Sequence, residues 1–206
     1  MKKVLLLIAF LVVSCKNDEI NHPNILFIMS DDHTSQSWGI YGGILKDYVK
    51  NDGIKRLAKS GVVVENLFCT NAICVPSRAS ILTGQYSHVN GVYNLPDALD
   101  PDSLNVAKVL KNNGYQTSIV GKWHLKKEPS GFDYYKVLPG QGLYNDPYFK
   151  TKENWEDGSR GGEKEKGFSA DIIGDSSIEW LKKIDNKKPF FLMSHFNATP
   201  EPFDFP

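Results

Sequence analysis

Cys74, Pro76, Ser77 and Arg78 fall within five residues of one another, and Ala79-Ser80-Ile81-Leu82-Thr83-Gly84 follows them. Pro76 suits the first turn of a helix, where its missing N–H costs nothing. Gly84 suits the stop of that helix. This spacing predicts a short helix with Cys74 just outside its N-terminus. Unpaired backbone N–H groups and the positive end of the helix dipole favour an anion there. Arg78 adds a permanent positive charge and a planar fork that can grip an oxyanion from two directions. A reactive side chain, an anion-binding helix start and an arginine at this spacing point to chemistry on a sulfate or phosphate group.

The stretch resembles the signature of the formylglycine-dependent sulfatases, Cys-x-Pro-Ser-Arg with Leu-Thr-Gly following. The resemblance implies that a formylglycine-generating maturase oxidises Cys74 to an aldehyde, whose hydrate is the nucleophile. A buried structural cysteine is the alternative for Cys74 taken alone. The full signature around it favours the chemical reading.

Such a nucleophile needs a metal and further cations around it. Asn24 to Ser30 is a continuous apolar run after Pro23, consistent with a strand buried on both faces. It ends in Asp31-Asp32-His33. Adjacent carboxylates at the end of a buried strand are costly unless they hold a cation. Hard oxygen ligands suit Ca²⁺ or Mg²⁺, and ligands of open α/β sheets bind at this end of the strands. The sulfatase resemblance makes Asp31, Asp32 and the modified Cys74 ligands of a metal, normally Ca²⁺, with His33 a neighbour.

Tyr115 to Val120 reads as another strand, leading into Gly121-Lys122-Trp123-His124. A lysine and a histidine two apart in extended chain face the same side, so both can reach one anion. The block resembles a second sulfatase signature. That resemblance implies that Lys122 binds the sulfate and His124 acts as base on the second hydroxyl of the hydrate. Arg78 completes the expected catalytic set. Pro189 to Ser194 reads as a further strand, continuing to His195 and Pro200. Sulfatases place a sulfate-binding histidine a few residues past this strand. Here that position is Pro200, and His195 is the candidate that stands in for it.

The remaining elements serve these residues. An amphipathic helix is expected over Gly53 to Ser60, a strand over Val62 to Phe68 leading to Cys74, and a helix from Asp102 to Gly114. Phe132 to Phe149, rich in aromatics, Gly and Pro, reads as a long ordered loop lining or covering a site. Similar blocks occur in sulfatases acting on carbohydrate sulfates. Ala170 to Ile184 reads as a helix, and Asp185-Asn186 as a linker rather than a second pair of metal ligands.

Composition bounds the rest. The 206 residues carry 24 basic and 24 acidic side chains, so nothing points to nucleic acid. Cys15, Cys69 and Cys74 make no Cys-x-x-Cys pair, which argues against zinc. A Cys69–Cys74 disulfide is the competing fate of Cys74, and Cys69 otherwise reads as a buried small hydrophobe. Residues 1–15 have Lys2 and Lys3 before a short apolar core, as in a secretory signal. Val12-Val13-Ser14-Cys15 resembles a bacterial lipobox, which implies lipidation at Cys15 and a tether over 16–22. The expected product is an exported lipoprotein held at the bacterial membrane, in the periplasm or at the cell surface.

Residues 23–206 are then read as the N-terminal portion of an alkaline-phosphatase-like sulfatase. The expected fold is α/β, with a mostly parallel sheet and flanking helices, and it is incomplete because sulfatases are considerably longer. The implied function is hydrolysis of carbohydrate sulfate esters. An inactive remnant that binds sulfated glycans and a phosphatase of the same superfamily are the competing readings.

Overall fold

The computed structural model describes residues 22–156 and 160–197. The chain builds strand β1 (Ile25–Ser30), helices α1 (Asp52–Ser60), α2 (Cys74–Thr83), α3 (Ser87–Asn90) and α4 (Val106–Asn112), then β2 (Gln116–Lys122) and β3 (Tyr134–Leu138). A two-residue pair follows, β4 (Tyr148–Phe149) with β5 (Glu163–Lys164), then α5 (Ser169–Lys183) and β6 (Phe190–Phe196).

The main sheet has the order β1-β6-β2-β3, and every neighbouring pair is parallel. Parallel strands need helices on both faces, and the alternation along β2 and β6 supplies them. Ile119, Phe191 and Met193 pack with Val75, Ala79 and Leu82 of α2 on one face. Val120 and Leu192 pack with Ile173 of α5 on the other. This is the mostly parallel α/β architecture with flanking helices that the sequence predicts.

Gly121 allows β2 and β6 to meet. Its φ is 101°, and a Cβ there would lie 2.0 Å from the carbonyl oxygen of His195. Only glycine satisfies both demands. The helix ends are set by local chemistry as well. The Asn105 side chain accepts from the Lys108 N–H at the start of α4. Gly84 closes α2 in the left-handed region, its N–H bonded to the Ser80 carbonyl.

Three expectations are corrected. Residues 62–68 form no strand, and Val62, Leu67 and Phe68 are exposed. Among the described residues no strand pairs with this segment. The segment read as a long loop contains β3, in which buried Tyr135 and Val137 alternate with half-buried Tyr134 and Lys136 over only five residues. Cys74 is the first residue of α2, not the residue before it, with Ile73 at the cap and Pro76 two residues further in. The signal segment with Cys15, the tether over residues 16–21, and Pro200 lie outside the described residues. Among the described residues no helix is long and apolar enough to cross a membrane.

Candidate active site

The C-terminal ends of β1 and β2 and the N-terminus of α2 converge on one carboxylate. Asp31 follows β1, and its N–H extends the ladder to the Phe196 carbonyl at 3.1 Å. Its side chain is nearly buried and bridges two cations. Oδ1 accepts from Arg78 Nη2 at 3.0 Å, and Oδ2 accepts from Lys122 Nζ. Burial alone would push the Asp31 carboxyl up. The Lys122 ammonium and the Arg78 guanidinium outweigh burial and hold it below the usual carboxylate range.

Lys122 has no solvent exposure, yet its ammonium ends 3.9 Å from Cys74 Sγ. Arg78 is 5% exposed and also donates from Nη1 to the Lys122 carbonyl at 2.7 Å. Thus a thiol at a helix start, a lysine at a strand end and an arginine one turn along the helix form one cationic cluster. The sequence reading of Cys74, Arg78 and Lys122 as neighbours holds in space.

Asp32 follows Asp31 in the left-handed region, with φ 50°. Its carboxylate, that of Asp31 and Cys74 Sγ lie within 4.8 Å of one another. The two carboxylates are hard donors of the kind Ca²⁺ or Mg²⁺ takes, and Cys74 would join them through an oxygen only once oxidised, so these residues fit the expected metal in proximity and in their carboxylate chemistry. His33 instead bonds Ser37 Oγ at 2.6 Å and packs edge-on against Trp38, a neighbour of the site as expected.

His124 does not continue the strand. Its φ is 57°, so the simple alternation expected between Lys122 and His124 is broken after β2. The ring is 6% exposed, and its Nδ1 has no hydrogen-bond partner among the described residues. Burial, followed by the charges of Lys122, Lys126 and Arg78, lowers its pKa to about 4. The imidazole is therefore neutral at physiological pH and able to accept a proton.

His195 takes a different position from the one expected of a sulfate-contacting group. It is 4% exposed on β6, its ring edge-on to Phe27, and its Nδ1 lies 3.1 Å from Arg78 Nη1. It stands behind the arginine. The register explains this, since His195 pairs with Met29 on one side and Gly121 on the other, inside the sheet. The competing disulfide is not formed. Cys69 and Cys74 are both free, and Cys69 is exposed rather than buried, because the segment before it is not a strand.

One site residue was missed. Gln141, in the turn after β3, places its Oε1 on the Lys122 ammonium. The signal was the Pro139-Gly140-Gln141-Gly142 run, which becomes legible only once β3 is recognised as a strand beside β2.

Comparison with known proteins identifies the family. The sulfatase family model matches residues 23–206. The chain belongs to the sulfatase family. An N-acetylglucosamine-6-O-sulfatase of Bacteroides thetaiotaomicron is 42% identical over 198 residues, 93% of this chain and 34% of that relative. A ulvan-active sulfatase of Formosa agariphila is 33% identical over 97% of this chain and 41% of its own length. A solved structure in complex with its substrate D-glucosamine-2-N,6-O-disulfate superposes with a TM-score of 0.79 at 40% identity, covering 87% of this chain and 35% of that one. The chain therefore spans well under half the length of these sulfatases. Its α/β fold is that of alkaline-phosphatase-like sulfatases.

Proposed function

We propose that this chain carries the nucleophile and the sulfate-binding cluster of a sulfatase that hydrolyses carbohydrate sulfate esters. The observation that carries the reading is the convergence of Cys74, Arg78 and Lys122 on Asp31 at the strand ends. The relatives named for N-acetylglucosamine-6-O-sulfatase and ulvan activity, and the glucosamine disulfate complex, support a sulfated sugar as the substrate class.

Each residue has a role that its environment suits. Cys74, once converted to formylglycine by a maturase, supplies the attacking oxygen. Asp31, Asp32 and that oxygen would hold Ca²⁺ or Mg²⁺, which neutralises charge on the sulfuryl oxygens and favours the ionised nucleophile. Lys122 and Arg78 present fixed positive charge where negative charge accumulates as the S–O bond to the sugar breaks. Both are buried, so little solvent reorganisation opposes them. Asp31 keeps the two cations from repelling each other apart. His124, neutral and unpartnered at Nδ1, takes the proton that must leave the second hydroxyl before sulfate departs. The lipobox resemblance at Cys15 supports export and a lipid anchor at the bacterial membrane.

Protein from a maturase-containing host gives the test. Trypsin releases Ser60–Arg78, which holds both Cys69 and Cys74. Mass spectrometry should find an aldehyde at Cys74 and an alkylatable thiol at Cys69. The converted protein should turn over an aryl sulfate and a 6-sulfated amino sugar and leave the aryl phosphate intact. Two alkylatable thiols in that peptide would remove the basis for sulfatase chemistry. Binding of sulfated sugar without turnover would favour the glycan-binding reading.

A further inference from the structure

Lys122 is fully buried, so each of its three N–H groups needs an acceptor. Asp31 Oδ2 takes one and Cys74 Sγ lies 3.9 Å away. The third acceptor is Gln141 Oε1. The first two belong to the cluster at the strand ends. Gln141 is different in kind, because it is neutral, exposed and carried by a surface turn.

The turn is built to hold it there. Lys122 pairs with Leu138, the last residue of β3, so the chain leaves β3 directly beside the lysine. Gly142 N–H then closes back on the Pro139 carbonyl at 3.2 Å. Gly140 and Gly142 have φ of 61° and 80°, and a Cβ on Gly142 would lie 2.7 Å from Leu138 Cδ1. Left-handed backbone on both sides of one residue, with no room for a side chain at the second, fixes where that residue points. The residue so fixed is Gln141.

We propose that Gln141 is the exchangeable acceptor of the anion site. In the free protein its amide oxygen satisfies the Lys122 N–H that an oxygen of the bound anion takes in its place. This rests on the sulfatase reading of the cluster. A neutral amide suits the role, because it satisfies a buried ammonium without neutralising it. A charged sulfuryl oxygen makes the stronger bond and displaces it. Asp31 cannot play this part, since it is buried and also bonded to Arg78. Gln141, being exposed, can leave toward solvent.

The test uses the full chain carrying Cys69→Ser, made without a maturase so that Cys74 keeps its thiol. Alkylation of Cys74 is followed by site-resolved mass spectrometry at low salt, with neutral iodoacetamide and anionic iodoacetate as probes. Gln141→Leu removes the competing acceptor and raises the iodoacetate-to-iodoacetamide rate ratio about threefold, the scale of one neutral hydrogen bond. Gln141→Glu fixes an anion on the ammonium and lowers the ratio at least about tenfold, the scale of a close ion pair in a poorly solvated site. The ratio rather than either rate carries the test, because a change at the Lys122 ammonium, 3.9 Å from the thiol, acts on the thiolate and moves both probes alike. Opposite shifts of the ratio support the proposal. Shifts of the ratio of one sign, or no shift of the ratio, overturn it. Alkylation needs no aldehyde, metal or turnover, so the failure of sulfate-ester hydrolysis would be read separately.

Discussion

Arg78 Nη1 lies 3.1 Å from His195 Nδ1, and the Lys122 carbonyl oxygen lies 3.2 Å from the same nitrogen. A guanidinium has only donors and a carbonyl only lone pairs, so Nδ1 accepts from Arg78 when the ring proton is on Nε2 and donates to the Lys122 carbonyl when it is on Nδ1. Burial, then the adjacent Arg78 charge, lowers the His195 pKa to about 3. The ring is a neutral support that holds the outer end of Arg78 while Asp31 holds its Nη2. A histidine in the middle of an apolar strand thereby acts on the anion site from behind.

His195→Leu should cost about 1–3 kcal/mol of stability, because it strips an acceptor from a buried guanidinium. His195→Gln keeps an acceptor within reach and should recover at least half of that loss. Urea unfolding of the two variants against the parent chain checks this. Equal losses would mean that the ring's packing on Phe27, not its acceptor, is what matters.

Acid should weaken the fold before its carboxylates titrate. The unfolded chain takes protons on histidine near pH 6.5, whereas His124 and His195 in the folded chain do so only near 4 and 3. The unfolded state therefore binds more protons throughout that interval, and stability falls as pH drops from about 6.5 toward 3. Asp31 has the same sign in a lower window, its contribution being lost as pH falls below its ordinary value of 3.8. Urea midpoints at pH 7 and pH 5 should differ in the parent chain, and the difference should shrink in His195→Gln. An unchanged pH dependence in that variant would show that His195 is not one of the groups responsible.

The site was legible in the sequence to the extent that its residues sit at the ends of local patterns. Asp31, Cys74 and Lys122 each close or open an element whose apolar run or capping residue marks it, Arg78 lies one turn inside the helix that Cys74 opens, and these four meet in space. The reading failed where tertiary context decides. Val62 to Phe68 has strand composition but no partner strand among the described residues. β3 is five residues long inside a run of aromatics, Gly and Pro, so its alternation of Tyr135 and Val137 with Tyr134 and Lys136 is too short to mark a strand, and its turn with Gln141 is not legible. His195 was judged by its distance from an expected position. Its function follows from the β1-β6-β2 register, which no local pattern contains.

Asp31 should prove to be structural as well as chemical. Asp31→Asn keeps the shape but removes the charge between Arg78 and Lys122, leaving two buried cations without a counter-ion. Breaking a buried pair in this way typically costs about 3–5 kcal/mol. The variant should unfold at much lower urea than the parent. It should also recover in part when Lys122→Met is added, because the uncompensated cation is then gone. A double variant no more stable than Asp31→Asn alone would place the loss in something other than charge.

Asp32 separates metal binding from folding. It lies beside Asp31 in the donor group but is exposed and holds neither Arg78 nor Lys122. Its left-handed backbone is one that asparagine tolerates. Asp32→Asn should therefore leave the metal-free unfolding midpoint where it is. A metal that binds only the folded chain raises that midpoint with concentration, so Ca²⁺ should stabilise the parent chain and do so much less in Asp32→Asn. Mg²⁺, which demands tighter octahedral geometry and gives up water reluctantly, should produce the smaller shift at equal concentration. If Ca²⁺ stabilises parent and variant alike, the ion is bound elsewhere and the Asp31–Asp32–Cys74 group is not its site. If it stabilises neither, these three residues do not form a competent site in this chain, although the cationic cluster around Asp31 would stand unchanged.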